Sequence, residues 1–227
     1  MSSENLKKGD FIEIDFTGKV KDGEVFDSTR KEDLEKMHED HDHKVESKPF
    51  AFCLGHEMFM KSLDEFLIGK EIGKSYNVGL EPEKAFGKRD TKLINKIPSK
   101  VFREQKLNPV PGVSLNFDGQ IGKILAVSGG RVMVDFNHAL SGKDVVYDLK
   151  VLKKVEDLNE KIKALNEFFF RKDFKFEVKD KKLTLEVEKP LVKMIELFKD
   201  KFKEILGLDL EVKEEGAEKA VEDKKSQ

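Results

Sequence analysis

Apolar and polar residues alternate from Phe11 to Phe16, with Ile12, Ile14 and Phe16 on one side and Glu13 and Asp15 on the other. A period of two predicts a half-buried strand. The same period recurs in Phe50, Phe52 and Leu54, in Tyr76, Val78 and Leu80, and in Val113, Leu115 and Phe117. It returns in Val132, Val134 and Phe136 and again in Val145, Tyr147, Leu149 and Val151. Asp22-Gly23, Asp118-Gly119 and Gly129-Gly130 punctuate these runs. They predict tight turns, with glycine taking the positive φ that such turns need. Helical spacing is rarer in this part. It is seen in Phe59, Met60, Leu63, Phe66 and Leu67, closed by Gly69, and in a short amphipathic piece built on Ile97, Val101 and Phe102.

Beyond residue 156 the pattern changes. Leu158, Ile162, Leu165 and Phe169 share one helix face. Phe174, Phe176 and Val178, then Leu183, Leu185 and Val187, predict a hairpin across KDKK. Leu191, Met194, Ile195, Phe198, Phe202 and Ile205 predict one helix that begins at Pro190 and stops at Gly207. Leu208, Leu210 and Val212 close the series as a strand, giving an α-β-β-α-β module. Two stretches have little to bury. Residues 28–48 predict a solvated loop with one helical turn, and residues 214–227 a disordered tail.

Composition narrows the class. The chain has 227 residues, enough for two or three small domains. Charged residues make up 39% yet cancel to a net −2, which argues against a nucleic-acid partner. The start of the chain carries no apolar leader, and no stretch is long enough to span a membrane. One cysteine, Cys53, rules out an internal disulfide and suits a reducing, cytoplasmic setting. With 18 Phe and no Trp, phenylalanine supplies the aromatic surface.

Three stretches offer chemistry. NHALSGKD (137–144) places His138 three residues before Ser141, but there is no nucleophile elbow and the sequence places no acid to orient the histidine, so a turn is expected rather than a hydrolase. His38, His41 and His43 lie among acids, a set able to bind a transition metal, but the polar surroundings predict a solvated loop and no metal is assigned. Cys53, inside an apolar run, predicts an inert buried thiol. Taken alone, Phe16, Phe26, Phe50, Phe59, Phe86 and Tyr147 read as core.

The wording of the segments carries a family resemblance. DFTGKVKDGEVFDST, PFAFCLG, the Met/Phe-containing helix, EPEKAFGKRD and VVYDLKVL follow in the order of the FKBP family of peptidyl-prolyl cis/trans isomerases. About fifty residues stand where a minimal member has a short flap, and they end in VDFNHALSGK. This resembles the SlyD-type branch, and the C-terminal module is similar to the extra domain of long archaeal members. The resemblance implies an α+β fold: an antiparallel sheet wrapped on one helix (1–87 and 138–155), an inserted β domain (88–137) and a C-terminal domain (156–213).

What the resemblance implies about function is isomerisation of X-Pro bonds in folding chains, with no cofactor. Clients would be held by the insert; the alternative is a non-catalytic holdase on the same scaffold. Catalysis would rest on Phe16, Phe26, Asp27, Phe86 and Tyr147, with Phe50, Phe59, Met60 and Leu63 completing a prolyl pocket. Leu63 stands where many members have Trp, and Phe16 and Phe86 where Tyr is usual. The missing phenol at Phe86 counts against macrolide binding. The partners implied are unfolded or nascent polypeptides, with a homodimer possible through the C-terminal domain. SlyD-type proteins often carry a His/Cys-rich tail, which this sequence lacks.

Overall fold

The computed structural model describes residues 5–37 and 47–215. The disordered-tail expectation from residue 216 onward, and His38, His41 and His43, fall outside the described residues. Chain contacts divide the protein into two compact units. One comprises Met1–Thr17, Ser28–Tyr76 and Asp148–Gln227; the other comprises Gly18–Asp27 and Asn77–Tyr147.

In chain order the elements begin with β1 (Phe11–Val20), β2 (Val25–Ser28), α1 (Lys31–Met37), β3 (Phe50–Cys53), α2 (Lys61–Leu67) and β4 (Ser75–Leu80). Then come β5 (Ile94–Pro98), α3 (Ser99–Glu104), β6 (Ser114–Phe117), β7 (Gln120–Ser128), β8 (Arg131–Asp135) and β9 (Val145–Lys154). The last elements are α4 (Leu158–Phe170), β10 (Lys175–Lys179), β11 (Lys182–Val187), α5 (Val192–Glu196), α6 (Lys199–Leu206) and β12 (Asp209–Glu214). The main sheet runs β2-β1-β9-β4, with β3 also paired to β1. The mixed α+β class and the separate sheet formed by the inserted segment are as expected.

In the first unit, β1 and β3 pair antiparallel, Phe11 opposite Cys53 and Ile14 opposite Phe50. The alternation seen in the sequence buries Ile12, Ile14 and Phe16 together with Phe52, Leu54, Leu63 and Leu67. Removing apolar surface of this size from water supplies roughly 1.5–3 kcal/mol for each large side chain. The C-terminal segment builds its own three-stranded sheet, ordered β10-β11-β12. β10 and β11 form the expected hairpin, and β12 joins β11 in parallel, with α5 and α6 making the crossover.

One helix was expected over 190–206; two are found. The backbone tightens between them through three-residue hydrogen bonds, Leu197 N–H to Met194 O and Phe198 N–H to Ile195 O. The cause is tertiary. Phe198 packs on both Phe169 and Phe170, 5.0 Å from each ring centroid.

In the second unit the inserted strands form a sheet ordered β5-β8-β7-β6. Its core is Phe102, Ile124, Val132 and Val134, with Ile97, Leu115, Phe117 and Phe136 packed against it. β7, which the alternation did not single out, fills the space between the two expected turns. The amphipathic piece proves to be two elements. Ile97 belongs to β5, while Val101 and Phe102 belong to α3, because Pro98 ends the strand and precedes the helix.

The turns form, but their chemistry differs from expectation at the first hairpin. There the positive φ falls on Asp22 (φ 57), not on Gly23. Asp tolerates the left-handed region better than most residues. Asp118-Gly119, Gly129-Gly130 and Asp180-Lys181 each have positive φ at both positions and join strands across two residues. That is the hairpin turn whose twist matches the strands it joins.

Candidate active site

In the first unit four phenylalanines meet. Phe59 lies 5.2 Å from Phe16, 5.6 Å from Phe50 and 5.5 Å from Phe52, centroid to centroid. Phe16 and Phe50 meet edge-on at 6.4 Å, and Phe50 stacks on Phe52 at 5.0 Å. β1 and β3 present Phe16, Phe50 and Phe52. Phe59 is presented by the loop before α2. The sequence placed Phe59 and Met60 inside that helix; instead Met60 caps it, with its carbonyl accepting from the N–H groups of Leu63 and Asp64.

The loop itself is held by Asp64. This carboxylate, buried within α2, accepts from the N–H of Gly55 at 2.8 Å and of Glu57 at 3.1 Å. Leu63 is fully buried beneath, while Phe50, Phe59 and Met60 remain partly open.

In the second unit Phe26 meets Phe86 edge-on at 5.5 Å and Tyr147 edge-on at 5.8 Å. Both outer rings of this set have a reason to be where they are. A Cβ on Gly18 would lie 2.9 Å from Cε1 of Tyr147 and 3.0 Å from Cε2 of Phe26, so the bare glycine backbone is what lets them approach. On the other side His138 stacks flat on Phe86, 5.0 Å apart with planes within 4°. Asp27 is exposed on this unit beside Phe26 in β2. Burial first, and then the Asp27 charge, push the Tyr147 phenol well above its ordinary value, so it stays a neutral hydroxyl.

The residues after Asp27 anchor back into the first unit's own structure. Ser28 donates from its hydroxyl to the Phe16 carbonyl at 3.0 Å and to Asp33 at 2.9 Å, and the Thr17 hydroxyl also donates to Asp33. The Phe16 N–H donates to the Thr29 hydroxyl at 2.9 Å. Thr17's hydrogen bond leads, with Ser28 and the charges of Arg30 and Lys36 behind it, in holding the Asp33 carboxyl below its ordinary value against a smaller effect of burial.

NHALSGKD forms a turn, as expected, and its Asn, His and Ser side chains are tied to nearby backbone. Ser141 donates its hydroxyl to the Phe86 carbonyl at 3.1 Å, so it is not poised against His138 as a nucleophile. His138 Nδ1 accepts from the Leu140 N–H. Asn137 accepts from the Asp90 N–H at 2.8 Å and donates its amide to the Asp90 carbonyl at 2.9 Å and to Asp135 at 2.6 Å. Burial pushes Asp135 up. Asn137's two hydrogen bonds and the Arg89 guanidinium paired with it outweigh that and hold the carboxyl below its usual range.

Cys53 is buried, and burial with the nearby Asp64 charge pushes its thiol up to about 12, so it is inert. Among the described residues no group of three His, Cys, Asp or Glu could hold a metal ion. No described helix is long and apolar enough to cross a membrane.

Gly18 and His138 escaped the sequence reading as site residues. Gly18 stands in the TGK of the first hairpin, and only the packing of two rings onto it reveals the role. His138 had a signal, its place in NHALSGKD, but the sequence does not say which ring it covers.

The profile of the FKBP-type peptidyl-prolyl cis-trans isomerase family matches residues 2–102, and that of the FKBP26 IF domain matches residues 95–140. The short-type peptidyl-prolyl cis-trans isomerase of Methanocaldococcus jannaschii is 34% identical over 146 residues, covering 64% of this chain and 92% of that protein. The FKBP-type 16 kDa isomerase of Escherichia coli is 29% identical over 155 residues, 66% of this chain and 95% of that one. The SlyD isomerase of Haemophilus influenzae is 28% identical over 120 residues, 51% of this chain and 63% of its own. With the ring sets and their supports in place, and with these matches, the chain belongs to the FKBP-type peptidyl-prolyl cis-trans isomerase family.

Proposed function

We propose that this isomerase acts on X-Pro bonds of unfolded and nascent chains, and that residues 88–137 serve as a module that holds those chains. The observation that carries the catalytic assignment is the Phe26–Phe86–Tyr147 ring set, with the charge of Asp27 acting on Tyr147. Phe16, Phe26, Asp27, Phe86 and Tyr147 are assigned to catalysis, and Phe50, Phe59, Met60 and Leu63 to binding the prolyl side of the substrate.

The chemistry needs no proton transfer, nucleophile or cofactor. An X-Pro bond turns over a barrier of roughly 18–20 kcal/mol in tens of seconds unaided. Bringing that to milliseconds is about 10⁴-fold, or roughly 5–6 kcal/mol. The planar amide is more dipolar than the twisted one. An apolar, aromatic surface therefore disfavours the ground state relative to the twisted form, and ring shape adds to the difference.

The insert supports a holding role through its surface. Ile121 is 62% exposed, and Leu93, Val101, Val110, Val113 and Val127 are also open. β5 and β6 are edge strands, able to pair with an extended client. We propose the division suggested by sequence, with 1–87 and 138–155 as the isomerase domain and 156–213 as a separate fold element. The buried, unpaired Cys53 supports a reducing, cytoplasmic setting. A homodimer through the C-terminal segment is supported by Leu197, which is 82% exposed beside the half-open Met194. The rest of that apolar stripe, Ile195 and Phe202, is spent on the segment's own core.

The test is isomerisation of a Phe-Pro tetrapeptide by wild type and Asp27→Ala, beside refolding of a proline-limited protein with and without residues 88–137. Expected are a fast wild type, a slow Asp27→Ala at unchanged melting temperature, and loss of refolding catalysis alone on deletion. Wild type at the uncatalysed rate would leave a holdase, and equal refolding without the insert would remove its assignment.

A further inference from the structure

The C-terminal segment meets the candidate site at two places on one stretch of chain, residues 50–60. α4 packs against β3, and its half-buried Phe168 lies 6.5 Å from Phe50. Lys161, two turns earlier on the same face of α4, sets its ammonium 5.6 Å over the Phe11 ring, and Phe11 pairs with Cys53 across the sheet. Farther along, α6 reaches the loop that carries Phe59 and Met60. Glu204 Oε1 lies 3.3 Å from Nδ1 of His56, whose side chain is only 11% exposed. Phe168 is in turn seated on Phe169 at 5.1 Å, and Phe169 on Phe198 at 5.0 Å, so the contact has the segment's aromatic core behind it.

We infer that Phe168 and Glu204 are positioning residues for isomerisation: from α4 and α6 they clamp residues 50–60 and so fix where Phe50 and Phe59 stand. The inference rests on the assignment of those two rings to the prolyl side of the substrate. The physical reason is that Phe50 and Phe59 touch each other and Phe16 while both are only partly buried, so where they stand depends on how the chain that carries them is held. A ring that shifts before it can bind loses affinity by the fraction of time it is misplaced. Clamping therefore acts on KM more than on kcat. The lone cysteine supplies a second readout. Cys53 sits in β3, wholly buried, and reacts only when that region opens.

The experiment uses full-length protein, the Phe-Pro tetrapeptide and dithionitrobenzoate as the thiol probe. Phe168→Ala is expected to raise KM about three-fold or more with kcat within about two-fold, and to speed Cys53 modification about ten-fold. Phe168→Leu returns both toward wild type. Glu204→Ala, at an exposed position, also raises KM, whereas Glu204→Gln keeps an acceptor for His56 and does not. Lys201→Ala removes Glu204's other partner and leaves KM alone. Faster Cys53 modification with unaltered KM in both Phe168→Ala and Glu204→Ala overturns the inference, because the segment then rests on β3 without steering it. A slow Phe59→Ala beside those unaltered variants overturns this inference alone, and a Phe59→Ala at wild-type kcat/KM overturns it together with the substrate assignment.

Discussion

His138 lies flat on Phe86, with ring centroids 5.0 Å apart and planes within 4°. A histidine that looked like half of a catalytic pair is thus the back wall of an aromatic ring. Ser141, the other half, ties the same residue by its carbonyl. His138→Ala removes a ring contact worth about 0.5–1.5 kcal/mol. Tetrapeptide kcat/KM is expected to fall roughly 2- to 10-fold if that energy holds Phe86 in place. His138→Phe keeps the stack and is expected to keep most of the activity. Equal losses in the two variants would mean that the imidazole nitrogen, not the ring, is what counts.

Gly18 makes the opposite kind of contribution, by having nothing to offer. An alanine there drives a methyl into Tyr147 and Phe26. Overpacking of this kind costs about 1–3 kcal/mol. Gly18→Ala is expected to melt several degrees lower and to lose isomerase activity. Trimming the neighbour, in Gly18→Ala with Phe26→Leu, is expected to recover stability without recovering activity. Calorimetry and the tetrapeptide assay together check this, and a double variant no more stable than the single one would place the strain elsewhere.

Asp33 gives a pH dependence. Its carboxyl is held below the ordinary value by the hydroxyls of Thr17 and Ser28 and by nearby cations. A group whose pKa is lower folded than unfolded adds stability that is fully present above the unfolded value of about 4, and loses it as pH falls through the folded value. Hydrogen bonds to a charged group contribute about 1.5–3 kcal/mol. Asp33→Asn is therefore expected to melt below wild type at neutral pH, with the gap constant above about pH 5 and closing below about pH 4. A gap that persists unchanged to about pH 3 would assign the stability to hydroxyl geometry rather than charge.

Much of the fold is written in local pattern. The strand at Phe11–Phe16, the hairpins at Asp118 and Gly129, and α4 follow from residue spacing and turn chemistry alone, since side chains of period two or near 3.6 have one way to share a face. What the pattern hides is set by distant partners. Nothing in the spacing of Leu191 to Ile205 forbids one helix, and the break follows from Phe198 fitting against Phe169 and Phe170. Phe59 and Met60 have helical spacing, yet Asp64 draws the preceding backbone into a loop through two N–H groups.

The site follows the same division. The aromatic members of the candidate site are named from family wording, because they are large residues at marked positions. Gly18, His138 and Phe168 are not. Their contribution is a distance to another ring, and a distance across the chain has no local signature.

The Asn137 side chain joins Asp90 from both sides, as acceptor and as donor. The place where the chain departs for the inserted sheet and the place where it returns are thus one hydrogen bond apart. Closing a loop costs entropy that grows only slowly with its length. Once a single amide fixes the gate, the parent fold is indifferent to how much chain lies beyond it. In evolutionary terms that makes the position a docking port for accessory sequence, open to exchange of the whole excursion at little cost to the domain that carries it.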